Sequence, residues 1–244
     1  MPSSRTAIVL GGSGSVGRAL LEVLFRDDGF AEVITLSRRS LPEAVALAQA
    51  SGRRHIEQLV PDMSPASLEA ATLAAARAVD GELEAFSVLG IGAGTAGLTI
   101  DEHRAVDVAL NEAFARALRD SGRVQHLAFM SAVGADPTAS TSGGGGAGMA
   151  RYNRVKGEAE VAVRASGPPL VSIFRPAMII GSQHTPWLLE KLLPLFSWVT
   201  PAKFTSITVT QIAQAMVATA RRHPASSAVY HYPEMMALIA NGAR

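Results

Sequence analysis

The chain has no cysteine, which excludes disulfides, thiolate catalysis and cysteine-ligated zinc together. It also lacks a charge excess: 22 Lys and Arg against 21 Asp and Glu leave a formal net charge of +1. Binding nucleic acid or an anionic membrane needs a concentrated basic surface, so neither partner is expected. Long apolar runs are missing as well. Arg5 is followed by a short apolar run, Ala7 to Leu10, before glycine intervenes, and a signal peptide needs a longer apolar core. Ala85 to Ile100, a long uncharged stretch, is studded with glycine and falls short of the ~20 residues that a spanning helix requires. The expectation is a soluble protein with a mature start, no membrane span and a cytoplasmic location.

What is present is material for a large core, 48% of 244 residues being apolar. Short apolar strands alternate with helical patterns. Expected strands are Ala7–Leu10, Glu32–Leu36, His55–Val60, Ala85–Ile91, Val124–Met130, Leu170–Phe174 and Ala228–Tyr232. Helices are expected from Val16, over Pro42–Ala50, Ser64–Val79, Glu102–Arg119, Tyr152–Ala165 and Thr210–Arg221. Strands apolar on both faces, alternating with helices, imply a mainly parallel sheet covered on both sides. No internal repeat or long linker divides the chain, so residues 1–244 read as one domain. The single low-complexity piece, Ser140 to Gly148, reads as a loop.

The first strand runs into Gly11-Gly12-Ser13-Gly14-Ser15-Val16-Gly17, which contains G-x-G-x-x-G and then opens a helix. That context points to a dinucleotide site: the glycines allow a tight turn and let a pyrophosphate reach backbone N–H groups at a helix N-terminus. The second strand ends in Ser37-Arg38-Arg39, where NAD-selective sites usually place an acidic residue for the ribose 2′-hydroxyl. Two guanidinium groups suit a 2′-phosphate instead. NADP(H) is therefore the expected cofactor, ahead of NAD. Asp62-Met63 follows the third strand, as an adenine-edge contact or a helix-opening turn. Gly90 and Gly92, with Gly94, end the fourth strand, where backbone must approach the cofactor.

Tyr152 and Lys156 are four apart on an expected helix and share a face. Ser131 ends the fifth strand, at the carboxyl edge where such sheets bind ligands. A tyrosine hydroxyl can act as acid or base near neutrality if a nearby lysine cation lowers its pKa, and a serine hydroxyl can bond the substrate oxygen. Combined, the glycine motif, Ser131 and Tyr152-Asn153-Arg154-Val155-Lys156 resemble the short-chain dehydrogenase/reductase superfamily over essentially the whole chain. Leu89-Gly90 with Thr95-Ala96-Gly97, Gly134-Ala135-Asp136 after Ser131, Val155-Lys156-Gly157-Glu158 and Phe174-Arg175-Pro176 are similar to its atypical branch, around the Tat-interacting-protein-like oxidoreductases.

That resemblance implies a Rossmann-type, doubly wound α/β fold with a Ser131-Tyr152-Lys156 triad. It also implies Lys156 on the nicotinamide ribose, Pro176 along the nicotinamide, and a small substrate-binding elaboration at about 177–208. It departs from the superfamily pattern in the Gly143–Gly148 insertion between Ser131 and Tyr152. Asn111 stays off the catalytic list, since an asparagine there is as easily a surface residue. His103, Asp107 and His184 lack metal-ligand spacing, so no metal site is expected and solvated or structural roles are assigned to them. The apolar Trp187–Trp198 segment reads as a lid, a dimer contact, an interfacial patch or core. The reading is an NADP(H)-dependent oxidoreductase acting on a small-molecule carbonyl or alcohol, a homodimer being left open. An NADP(H)-sensing regulator acting through a protein partner is the alternative.

Overall fold

In a computed structural model, residues 5–92, 97–141, 147–181 and 202–242 are described. The strands are β1 (Arg5–Leu10), β2 (Phe30–Ser37), β3 (Arg54–Leu59), β4 (Glu82–Ser87), β5 (Val124–Met130), β6 (Leu170–Phe174), β7 (Ile179–Ile180), β8 (Ile207–Thr208) and β9 (Ala228–Tyr230). The helices are α1 (Ser15–Arg26), α2 (Pro42–Ser51), α3 (Pro65–Arg77), α4 (Ile100–Arg104), α5 (Asn111–Asp120), α6 (Ala147–Ser166), α7 (Val209–Arg221) and α8 (Tyr232–Gly242). A π-helical stretch, Ala105–Leu110, joins α4 to α5.

Seven strands form one sheet in the order β3-β2-β1-β4-β5-β6-β9, every neighbouring pair parallel. The order reverses between β1 and β4, and at the carboxyl ends of those strands an open α/β sheet leaves a crevice for ligand. This is the expected doubly wound Rossmann-type fold. One face is covered by α1, α2, α7 and α8, through Leu20, Leu24, Phe25, Ala44, Ile212, Met216 and Met235. The other is covered by α3, α5 and α6, through Leu68, Phe114, Leu118, Ala159 and Val163. The strands read as apolar runs because both of their faces are buried.

Local sequence explains where helices start. Ser64 caps α3 by accepting from the Ser67 N–H at 3.2 Å, with Pro65 in the first turn. Thr99 with Glu102 and Thr208 with Gln211 form reciprocal capping boxes on α4 and α7, each satisfying N–H groups that have no partner within the helix.

Three expectations need correction. The fourth strand starts earlier than the expected Ala85 and ends at Ser87, because Glu82 and Glu84 lie on it; these carboxylates are paired by Arg5 and by His126 of neighbouring strands. Helix α6 begins at Ala147, inside the segment read as a loop, of which residues 142–146 lie outside the described set. The last expected strand stops at Tyr230, and Tyr232–Gly242 is a helix that the sequence reading missed. Most of 177–208, including Trp187–Trp198 and His184, lies outside the described residues; at its ends β7 and β8 pair with each other.

Candidate functional site

The glycine loop joins β1 to α1 at the point of strand-order reversal. Its glycines are there for different reasons. A Cβ on Gly11 would sit 2.6 Å from the Leu89 nitrogen, and one on Gly17 would collide with the Gly11 carbonyl oxygen. Both are required by packing within the chain. Gly14 has room, its nearest neighbour being the Gly11 oxygen at 3.6 Å. Gly14 and Ser13 are exposed, whereas Gly12 and Val16 are buried. Gly14 is also the N-cap of α1 and supplies no side-chain hydrogen bond. The first N–H groups of a twelve-residue helix thus face an open surface, an arrangement that suits an anion.

Beside this loop, Arg38 and Arg39 follow β2 and are exposed; neither guanidinium has an ion-pair partner among the described residues. Ser37 Oγ donates to the Arg39 carbonyl at 2.7 Å and shapes the turn that presents them. Arg18 of α1 donates to the Ser13 carbonyl at 3.2 Å and pairs with Glu43. The Asp62 carboxylate is exposed and accepts from Ser67 Oγ at 2.8 Å. These bonds hold its pKa below the usual carboxylate range, Ser64 and Ser67 being the causes. Met63 has φ +43°, a strained backbone for a non-glycine residue.

Ser131 lies just past β5. Its N–H donates to the Phe174 carbonyl at 2.8 Å, and the Val133 N–H donates to the Pro176 carbonyl at 2.9 Å. The β5–β6 ladder is thereby extended into the loop. Ser131 is buried, and its Oγ has no hydrogen-bond partner among the described residues, although buried hydroxyls are nearly always bonded. Pro176 is buried where β6 leaves the sheet.

Tyr152 and Lys156 lie on α6 as expected, and the Lys156 nitrogen is 5.9 Å from the Tyr152 ring centroid. Lys156 is only 3% exposed, and its ammonium ion-pairs with Asp107 Oδ1 at 2.7 Å. Asp107 Oδ2 accepts from the Ile91 N–H at 3.0 Å. His103, one turn before Asp107, is buried with Nε2 3.5 Å from the same carboxylate, and its ring stacks on Tyr152 with centroids 5.8 Å apart. Burial pushes the Asp107 carboxyl up, but Lys156, His103 and the Ile91 N–H outweigh it and hold it at about 2. Burial likewise pushes the Lys156 ammonium down, and Asp107 with its neighbours overcomes that, so its pKa is raised.

Asp107 and His103 therefore are not solvated; both belong to the tyrosine–lysine group. The available signal was their spacing of four, placing an acid and an imidazole on one helical face otherwise rich in apolar residues. Asn111 is not at the surface either. It is buried, accepts from Ser87 Oγ at 2.5 Å and donates to the Asp107 carbonyl at 2.8 Å. The Asn111 backbone N–H goes instead to the Val108 carbonyl, so its side chain replaces a helical bond where the π stretch ends. Gly90 also has a packing role within the chain. A Cβ there would meet Lys156 Nζ at 2.8 Å and Asp107 Oδ1 at 3.1 Å, so its bareness makes room for the ion pair. Gly92 has φ +65° and open space around it, a turn conformation that glycine adopts without strain.

Helix α6 is tied down along its length. Beyond Lys156, Glu158 takes a two-pronged bond from Arg104 at 2.7 Å on both oxygens, and Glu160 takes one from Arg175 at 2.8 and 2.6 Å. A Cβ on Gly157 would run into the Pro137 backbone, so this glycine admits the loop after β5 against the helix.

No family profile matches the chain. Among curated proteins, FMP52-1 of Scheffersomyces stipitis, named mitochondrial, is 30% identical over 181 residues, which cover 74% of this chain and 70% of the relative. The chain belongs to the FMP52 family. The fmp52 protein of Aspergillus niger, also named mitochondrial, is 30% identical over 72% of this chain and 67% of its own length. These names overturn the expected cytoplasmic location. Among solved structures, a short-chain dehydrogenase/reductase of Serratia marcescens superposes with a TM-score of 0.66 at 19% identity, covering 96% of this chain and all of that one. The yeast methylglyoxal/isovaleraldehyde reductase Gre2, solved with NADPH, gives 0.67 at 15% identity over 93% and 78%. The fold of this FMP52 relative is thus that of the short-chain dehydrogenase/reductases, as the sequence motifs imply.

Among the described residues, one grouping has ligand-like spacing: Glu82, Glu84 and His223. It lies beside Arg5, whose guanidinium bonds both Glu82 and His223, so a cation is already there.

Proposed function

We propose that this protein is an NADP(H)-dependent oxidoreductase interconverting a small carbonyl compound and its alcohol, with Ser131, Tyr152 and Lys156 at the reacting centre. The observation that carries this reading is a buried, charged lysine beside Tyr152, and Ser131, past the carboxyl end of β5, keeps a buried hydroxyl without a hydrogen-bond partner among the described residues. Burying a cation is costly unless it is paired, and here Asp107 pairs it at 2.7 Å and so keeps an ammonium beside Tyr152. The chain also fits the cofactor: among the described residues nothing packs closely where a Gly14 Cβ would sit, the α1 N-terminus has no side-chain cap, and the two arginines after β2 have no ion-pair partner. Gly11 to Gly17 would hold the pyrophosphate, Arg38 and Arg39 a 2′-phosphate, and Asp62 and Met63 would border the adenine. Gly90, Gly92, Lys156 and Pro176 would line the nicotinamide end. Gre2, which shares the fold, was solved with NADPH, and this supports the assignment of a nicotinamide cofactor. The naming of the FMP52 relatives supports a mitochondrial location.

When bound, the nicotinamide supplies or accepts the hydride. In the reducing direction, Ser131 Oγ–H donates to the substrate oxygen, using a hydrogen bond that it makes to nothing else in the described chain. Tyr152 delivers the proton to that oxygen, and the Lys156 cation stabilises the tyrosinate left behind. In the oxidising direction, the same tyrosinate takes the alcohol proton.

The test measures NADPH oxidation against aldehydes, ketones and quinones, with NADPH and NADH affinities titrated on the same samples. Tyr152→Phe should cut turnover by the ~10²–10⁴ of a lost proton-transfer group, with NADPH affinity unchanged and NADPH bound more tightly than NADH. Undiminished turnover in that variant overturns the assignment. A panel without any turnover, in a protein that binds NADPH, transfers the case to a cofactor-sensing role.

A further inference from the structure

We propose that Asp107 is the positioning residue of this site: its carboxylate holds the Lys156 ammonium in place beside Tyr152 and sets how firmly Lys156 keeps its proton. The inference rests on the catalytic reading above and adds a residue to it.

The geometry is specific. Asp107 lies in the π-helical stretch, and its side chain is completely buried. One oxygen contacts Lys156 at 2.7 Å and the other takes the Ile91 N–H at 3.0 Å. Three further features serve the same contact. Gly90 leaves the space that the two charged groups fill. Asn111 bonds the Asp107 carbonyl and, through Ser87, anchors that helix to the end of β4. The Arg104–Glu158 pair clamps α4 to α6 at 2.7 Å, so the elements bearing Asp107 and Lys156 are locked together. None of this is needed to bury an apolar face.

The charges around Lys156 decide the sign. Asp107 comes from the π stretch; His103 from α4, 3.5 Å from Asp107; and Tyr152 and Glu160 from α6, where Glu160 is already paired with Arg175 at 2.6 Å. Among the described residues, Asp107 is thus the one carboxylate in direct contact with the ammonium. Lys156 lies beside Tyr152, its nitrogen 5.9 Å from the ring centroid. A buried negative charge in contact with the ammonium makes its proton harder to lose. The proposed carbonyl reduction needs that cation, so Asp107 extends the reducing activity to higher pH.

The experiment uses the full chain and two readouts. The chain has three lysines, Lys156, Lys191 and Lys203, so ¹³Cε-lysine NMR on the cofactor-free protein follows Lys156 directly, its resonance assigned by Lys156→Arg. The second readout is the pH profile of NADPH oxidation with the fastest aldehyde or ketone of the panel. In Asp107→Asn, both the Lys156 titration and the alkaline limb of turnover should move down by about one to two pH units, the size expected for a single buried charge. Asp107→Glu should return both most of the way. A folded Asp107→Asn protein with both curves unmoved overturns the proposal, even if its turnover is lower. If that variant does not fold, wild-type Lys156 decides: titration above the ordinary lysine value of about 10.4 supports the proposal, and titration below it overturns the proposal. Failure here leaves the Tyr152→Phe result untouched. If Tyr152→Phe retains turnover, the catalytic reading fails instead, while the lysine titration still reports on the ion pair.

Discussion

A carboxylate is buried near each end of β4, and the two are used differently. Glu84, toward the start of the strand, meets His126 Nδ1 at 3.1 Å, and His126 Nε2 meets Ser172 Oγ at 2.9 Å. That chain crosses from β4 through β5 to β6, and it occupies both imidazole nitrogens. Asp107, at the carboxyl end, meets a lysine instead, with His103 Nε2 only at 3.5 Å and, nearby on the sheet, a Ser131 Oγ that has no hydrogen-bond partner among the described residues. Polar groups buried at one edge are satisfied within the protein. At the other they stay available, which costs free energy unless something else completes them. The sheet edge with unfinished bonding is the one that also carries the glycine loop.

The comparison can be broken in three places. The largest effect is expected from Lys156→Ala, which strands Asp107 without a counter-charge; stability should fall by ~3–5 kcal/mol in urea denaturation. Asp107→Ala added to it should restore a good part of that loss, and additive losses would show that the pair is not coupled. Acid comes next. The Asp107 carboxyl is held at about 2 in the folded chain, below its value of about 3.9 when unfolded. Its contribution is therefore present above pH ~4 and is lost as pH falls toward 2, by an amount on the order of 2 kcal/mol. Urea midpoints measured from pH 5 down to 2.5 should fall more steeply for the wild type than for Asp107→Asn, and parallel curves would contradict this. The smallest effect belongs to the other edge. Ser172→Ala leaves His126 Nε2 without its partner and should cost about 1–3 kcal/mol, while NADPH affinity and turnover stay at wild-type values. A loss of turnover there would end the division of the sheet into a structural and a functional edge.

Much of this site was legible in the residues. The glycine loop announces itself because its requirement is local: a strand, a tight turn and a helix start lie within a dozen positions. Tyr152 and Lys156 are legible for the same reason, being one helical turn apart. Asp107 was not. Its partner is distant in sequence on another helix, and in a single chain an aspartate among alanines and valines looks the same whether it faces water or a buried ammonium. The packing role of Gly90 was not legible either, since the Cβ it lacks would strike Lys156, a residue with which it shares no sequence proximity. Glu82 and Glu84 shifted the expected start of β4 for a related reason. A charge in a strand looks like an end of burial until Arg5 and His126 arrive from neighbouring strands to neutralise it.

By itself, the sequence determined the alternation of strands and helices, the parallel character of the sheet, the glycine turn between β1 and α1 and the pair on α6. All of these follow from periodicity and from bonds between residues a few positions apart. Tertiary structure alone decided which charges are paired. Coulomb attraction and desolvation depend on distance through space and on exclusion of water, and for Asp107, Lys156, Glu84 and His126 both were set only when α4, α6 and the strands closed around them.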